Sequence, residues 1–160
     1  AQIEAAVRAV KGPPVGDRHV GTGGFTGGYG REDAAEHLAW ANENILLSVQ
    51  VETKSGIDSI DDIVSIAGLD MVQSGRGDLS YEYGVPGQQY HPTVLAAEEK
   101  MIKAGLDAGK LVSVQYYPIK DASQIPMLRG MIDRGVHALN LGIDLDVIDV
   151  YRRLLRDLVA

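Results

Sequence analysis

Ile45-Leu46-Leu47-Ser48-Val49-Gln50-Val51-Glu52 and Leu69-Asp70-Met71-Val72-Gln73-Ser74-Gly75-Arg76-Gly77-Asp78 are the two stretches on which the fold turns. Each opens with an apolar run and ends at a carboxylate, Glu52 or Asp78. The first run, Ile45 to Val51, is nearly continuous, which predicts a strand buried on both faces. Between the two, Ser55 to Ala67 carries Ile57, Ile60, Ile63, Val64 and Ala67 at helical spacing, with Thr53 or Ser55 available as its cap. Strand, helix and strand in about thirty residues make a βαβ unit, whose strands are parallel. Glu52 and Asp78 then stand at the C-terminal ends of neighbouring parallel strands, where α/β folds place their chemistry.

Working outward, residues 1–10 have helical spacing and stop at Lys11-Gly12-Pro13-Pro14. Residues 15–30 hold seven glycines and read as a loop, either the rim of a site or a plain connection. No Gly-Lys-Ser/Thr accompanies them, so a phosphate cradle has little support. Residues 31–44 read as a helix. Downstream, Gly75 to Asp78 reads as a tight turn and residues 81–91 as a loop. Pro92 opens a helix to about Ala108, ended by Gly109. Leu111 to Tyr116 is a third strand closed by Pro118, Ala122 to Arg134 a helix, His137 to Ile143 a fourth strand, and Leu145 to Val159 a last amphipathic helix.

Four strands, each followed by a helix, fit a (β/α) barrel or a doubly wound sheet. An eight-fold barrel takes about 250 residues. The 160 residues therefore form one domain worth about half a barrel. A half barrel alone exposes an apolar sheet face and two open edges. The missing strands are expected on another chain, or on a longer polypeptide of which this is the C-terminal portion.

Composition narrows the function. Apolar content of 45% with 23% charge is globular, and no apolar run approaches the roughly 18 residues of a membrane span. The absence of cysteine excludes disulfides and thiolate metal sites and makes the cytoplasm the expected compartment. A net charge of −7 argues against nucleic acid and anionic membrane surfaces as partners.

Two oxygen ligands on adjacent strand ends suit a hard divalent cation, Mg²⁺, Mn²⁺ or Co²⁺. Open coordination positions would accept a chelating 2-oxo acid, whose keto group the cation polarises. The backbone N–H groups of the Gly75–Asp78 turn can receive its carboxylate. The plainer alternative keeps Glu52 as a solvated strand-end residue and Asp78 as a turn residue. Lys54, near a strand end, reads as solvent-facing rather than as a Schiff-base lysine, which would need desolvation. His19, His37, His91 and His137 lack zinc spacing. His37 is expected exposed and His91 at a helix start. Trp40 is expected in the core or at an interface. Tyr81, Tyr83, Tyr90, Tyr116 and Tyr117 can line a substrate mouth, the first two being best placed for it. Arg76-Gly77-Asp78 as an adhesion tripeptide does not suit an acidic, cysteine-free chain.

The ordered motifs Val49-Gln50-Val51-Glu52-Thr53, Gly68-Leu69-Asp70-Met71-Val72-Gln73, Gly75-Arg76-Gly77-Asp78-Leu79-Ser80, Gly84-Val85-Pro86-Gly87 and His91-Pro92 resemble the HpcH/HpaI aldolase/citrate lyase family. Pro13 to Arg18, Gly135-Val136 and Leu141 to Asp144 are similar too, so the likeness spans nearly the whole chain. It implies a TIM-barrel, metal-dependent (class II) aldolase, a carbon–carbon lyase. Such an enzyme cleaves or forms 4-hydroxy-2-oxo acids from pyruvate-like acids and an aldehyde through a metal-stabilised enolate. Carried over by motif, Glu52 and Asp78 bind the metal, Mg²⁺ or Mn²⁺ with Co²⁺ possible. Gly77 offers its N–H to the substrate carboxylate, beside Asp78. A homo-oligomer is implied, with the last helix packed on a neighbouring subunit. A citryl- or malyl-thioester lyase of the same superfamily and a non-catalytic half-barrel module are the alternatives.

Two departures stand out. The family has Gly-Pro-x-Asp-Leu-Ser where this chain has Arg76, which either adds a substrate-binding cation or points to solvent. The general base and the arginine clamp of the family come from earlier strands, so no catalytic residue can be assigned here.

Overall fold

The structure is a computed structural model that describes residues 1–19, 21–116 and 122–159, with the backbone alone at 154, 158 and 159. Tyr117 and Pro118, which the sequence places at a substrate mouth and a strand end, lie outside the described residues. In chain order the elements are α1 (Gln2–Val10), α2 (Ala34–Asn44), β1 (Ser48–Val51), α3 (Lys54–Asp58), α4 (Ile60–Val64) and β2 (Met71–Ser74). There follow α5 (Arg76–Glu82), α6 (Pro92–Asp107), β3 (Leu111–Gln115), α7 (Ile125–Asp133), β4 (Ala138–Asn140) and α8 (Asp144–Val159).

The four strands form one sheet in the order β1-β2-β3-β4, every pairing parallel. Consecutive parallel neighbours joined by helices are the repeating unit of a (β/α) barrel. Val51 stands beside Ser74, so β1 and β2 end level with each other. The outward face carries Val72, Val112 and Val114, all fully buried. Against it lies α6, which also touches α4 and α5. Its close approach requires Gly105, where a Cβ would come within 2.8 Å of methyls of both Val72 and Val112. Ile57, Ile60, Val64, Leu79, Val94, Met101 and Ile102 complete this core.

Local chemistry explains the element ends. Asp33 caps α2 by accepting from the Ala35 and Glu36 amides. Thr53 caps α3 through the Gly56 amide. His91 caps α6, its Nδ1 facing the Thr93 amide, ahead of Pro92 in the first turn. Lys11 is buried at the junction of α1, α2 and β1, where its ammonium donates to the carbonyls of Asn42 (2.8 Å) and Ile45 (2.7 Å).

The structure departs from the sequence expectations in several places, the fourth strand for one being Ala138–Asn140 rather than 137–143. The helix expected over 55–67 is two short helices broken at Ser59. The β1 strand is shorter than 45–51 and buried on one face only: Val51 is inside while Ser48 and Gln50 are exposed. The open face is the one a closed barrel turns inward. His37 is buried, 4% exposed, beside Glu32 at 2.9 Å. The expected turn at Gly75–Asp78 is instead the start of α5, folded because Leu79 and Ser80 are fully buried beneath it. Among the described residues no helix is long and apolar enough to cross a membrane.

Candidate active site

Both carboxylates stand at the C-terminal rim of the sheet. Glu52 follows the last residue of β1 directly and is half-buried. Asp78 lies in the first turn of α5, four residues beyond the end of β2, and is exposed. The link between them is Gly75. Its amide donates to the Val51 carbonyl at 3.0 Å. A Cβ there would meet the Glu52 Cβ at 2.5 Å and the Gln50 amide nitrogen at 3.0 Å. The chain thus leaves β2 pressed against Glu52, and only glycine permits it.

Glu52 is also held by its own strand. The Gln50 side-chain amide donates to the Glu52 carboxylate at 2.6 Å. The Gln50 carbonyl faces the amides of Gln73 and Gln115, each at 3.4 Å. Three glutamines from three adjacent strands therefore share the open face and fix which way Gln50 presents its donor. The alternation of β1 puts Gln50 and Glu52 on one face, where the sequence predicts a strand buried on both. The cross-strand partners needed the register.

Gly77, the residue before Asp78, has open space around its α-carbon. The N-cap Gly75 has no side chain to satisfy the first-turn amides of α5, which a helix leaves without intrahelical carbonyl partners. Among the described residues no group of three or more His, Cys, Asp or Glu side chains gathers. Glu52, just past β1, and Asp78, in the first turn of α5, are two oxygen donors on the same rim of the sheet, joined through the close approach of Gly75 to Glu52 and with open space at Gly77. That donor set fits a hard divalent cation with positions left for water and a chelating ligand.

Arg76 does not point to solvent. It is 1% exposed. Its guanidinium carbon lies 4.0 Å from the Tyr116 ring centre and 4.7 Å from that of Tyr90. Its Nε is 3.3 Å from the carboxylate of Glu98 on α6, itself 2% exposed. Ser74, at the end of β2, donates its hydroxyl to Glu98 at 2.5 Å. Burial pushes the Glu98 carboxyl up from the ordinary range, against the opposing pull of Arg76 and the Ser74 and Tyr116 hydroxyls. Burial, with the Glu98 charge adding to it, pushes the Tyr116 phenol up to about 12. Sequence reading missed Glu98 because it sits mid-helix among other acids.

The remaining candidates fall away from the rim chemistry. Lys54 is exposed at the start of α3, without the desolvation a Schiff base needs. His19 is exposed and His91 is a helix cap. Tyr81 is 66% exposed just beyond Asp78, whereas Tyr116 is buried against Arg76. Trp40 is 54% exposed and stacks on His37.

Comparison with known proteins fits this architecture. The family model for HpcH/HpaI aldolase/citrate lyase matches residues 1–149. A hydroxypyruvate/pyruvate aldolase from Pseudomonas aeruginosa is 34% identical over 160 residues, covering 100% of this chain and 56% of that protein. A 2-keto-3-deoxy-L-rhamnonate aldolase from Klebsiella pneumoniae is 34% identical over 110 residues, 68% of this chain and 40% of that protein. The crystal structure of an HpcH/HpaI aldolase from Desulfitobacterium hafniense superposes with a TM-score of 0.86 at 27% identity, covering 98% of this chain and 58% of that one. The chain therefore matches between 40% and 58% of the length of these relatives. Its four β/α units are of the TIM-barrel type, and the chain belongs to the HpcH/HpaI aldolase/citrate lyase family.

Proposed function

We propose that this chain is the C-terminal half of a metal-dependent aldolase that cleaves or forms 4-hydroxy-2-oxo acids, with Glu52 and Asp78 as its metal ligands. The observation that carries the reading is the level ending of β1 and β2 with Gly75 packed on Glu52, which leaves two carboxylates on one rim and open space beside Gly77. The aldolase relatives support the carbon–carbon lyase class. A divalent cation bound there, Mg²⁺ or Mn²⁺, supplies Lewis-acid polarisation of a 2-oxo group.

Each residue of the chain then has a task. Glu52 would help hold the cation, its carboxylate oriented by the 2.6 Å hydrogen bond it accepts from the Gln50 side-chain amide. Asp78 presents its carboxylate from the exposed front of α5. The Gly77 N–H receives the carboxylate end of the 2-oxo acid. Arg76, which the sequence offered as a substrate-binding cation, is buried between Tyr116 and Tyr90 and is given no contact with substrate. The proton transfers of aldol chemistry need a base, and the base and an arginine clamp are assigned to barrel strands outside this chain. Those strands belong to the same longer protein or to another chain, the working unit is a cytoplasmic homo-oligomer, and residues 1–160 form one domain of it with the Gly-rich segment 15–30 as a loop.

The test is made in the longer protein. Asp78→Asn and Glu52→Gln are each expected to abolish Mn²⁺-dependent cleavage of a 4-hydroxy-2-oxo acid while circular dichroism and thermal midpoint stay near wild type. Near-normal turnover in Asp78→Asn would sink the assignment.

A further inference from the structure

Arg76 presents a problem that the proposed reaction does not solve. Its three guanidinium nitrogens are buried and none makes a hydrogen bond among the described residues. Such atoms are rare and call for an explanation. A direct substrate contact is a poor one, since Tyr116 and Tyr90 flank the guanidinium and Glu98 stands at its Nε edge. Stability is no better, because a buried ion pair is often matched or exceeded by apolar residues of the same volume.

The surroundings supply a different reason. Arg76 lies between Gly75 and Gly77, so it is the only side chain in the turn that leads to Asp78. Two glycines carry little conformational preference of their own, the N-cap of α5 has no side-chain hydrogen bond, and beyond the Gly75 amide bonded to Val51 the direction of the first turn rests on what Arg76 packs against. Five parts of the chain meet on Arg76 and Glu98. The end of β2 arrives through Ser74, the start of α5 through Arg76 itself, and α6 through Glu98. The end of β3 brings Tyr116, and the segment before α6 brings Tyr90. One carboxylate on α6 thus ties the end of the strand to the start of the helix across Gly75.

We propose that Arg76 and Glu98 are positioning residues: they bolt the first turn of α5 to α6 and so hold Asp78 opposite Glu52. The inference rests on the metal-site reading above and adds to it the reason for a buried charge at this position. The guanidinium fits the task better than an ammonium, because its plane lies against two aromatic rings while its edge meets the carboxylate.

The experiment uses the longer protein with Arg76→Met and Glu98→Leu made together, which removes both charges and keeps the volume. Mn²⁺ binding followed by electron paramagnetic resonance is expected to weaken about tenfold or more, the range typical of residues that orient metal ligands. The thermal midpoint is expected to stay level or rise. Amide exchange over residues 76–78, measured without metal, is expected to quicken. Tyr90→Leu, which removes one half-exposed ring and leaves the core filled, is expected to move binding and exchange the same way by a smaller factor. Unchanged Mn²⁺ affinity with unchanged exchange in either folded variant overturns the inference, leaving the pair as core filling. If wild type and Asp78→Asn bind Mn²⁺ alike, the metal reading has failed instead. Exchange at 76–78 then decides the bolt by itself: quickened, it stands; unchanged, it falls.

Discussion

Gly75 decides more of the site than either carboxylate. Its conformation, φ −110° and ψ 66°, is open to other residues, so backbone strain is not what demands glycine. The demand is steric: a Cβ would overlap the Cβ of Glu52, which is rigidly tied to β1. Alanine there must push β1 and the start of α5 apart by the better part of an ångström. Overpacking of this kind costs about 1–3 kcal/mol, and the displacement falls on the two carboxylates. Gly75→Ala is therefore expected to lower the denaturation free energy by that amount and to weaken Mn²⁺ binding, read by titration of the longer protein. Loss of stability with undiminished binding would mean that the contact belongs to the fold alone.

At the scale of elements, the four parallel strands and the place of Glu52 just past β1 were legible because period and apolar runs report burial directly, whereas Asp78, read at a strand end, lies in the first turn of α5. Gly75 to Asp78 was read as a turn and residues 81–91 as a loop, and the glycines at 75 and 77 do have poor helix propensity. Burial of Leu79 and Ser80 under the rim overrides that local preference. The burial of Glu98 was hidden for a similar reason, since it depends on Ser74 and Arg76 arriving from the end of β2 and the start of α5. Likewise, β1 was read as buried on both faces because Ile45 to Val51 is apolar, whereas Ser48 and Gln50 occupy the open face. Glycines in helices show how magnitudes settle such cases. Gly130 in α7 has open space where a Cβ would go, so Gly130→Ala is expected to stabilise by about 0.5–1 kcal/mol through helix propensity. Gly105 in α6 would gain the same propensity but drive a methyl into Val72 and Val112. The overpacking of about 1–3 kcal/mol outweighs it, and Gly105→Ala is expected to destabilise. Chemical denaturation midpoints of the two variants should move in opposite directions.

On the scale of the whole molecule, the sheet presents Gln50 and its neighbours on a face that a barrel closes over, and α8 presents apolar side chains that the described chain leaves uncovered. Leu145, Val147, Ile148, Val150, Tyr151 and Leu155 are between 42% and 64% exposed. Residues of that kind along one helix are costly to hydrate, and they fit the neighbouring-subunit contact that the family resemblance implies. The same incompleteness bears on activity. Nothing in the described rim offers a base beside Glu52 and Asp78: His91 caps α6, His37 is tied to Glu32, and Lys54 is solvated. General acid–base catalysis contributes about 10²–10⁴-fold to rate. The 160-residue polypeptide produced alone is therefore expected to cleave 4-hydroxy-2-oxo acids at least about a hundredfold more slowly than the longer protein, whatever oligomer it forms. It is expected to sediment as an associated species, because the α8 face and the open sheet face both need cover. Leu155→Asp should shift that species toward smaller ones if α8 makes the contact. Turnover by the isolated polypeptide equal to that of the longer protein would show that base and clamp lie within residues 1–160, and the division of the barrel into a metal-bearing half and a base-bearing half would have to be abandoned.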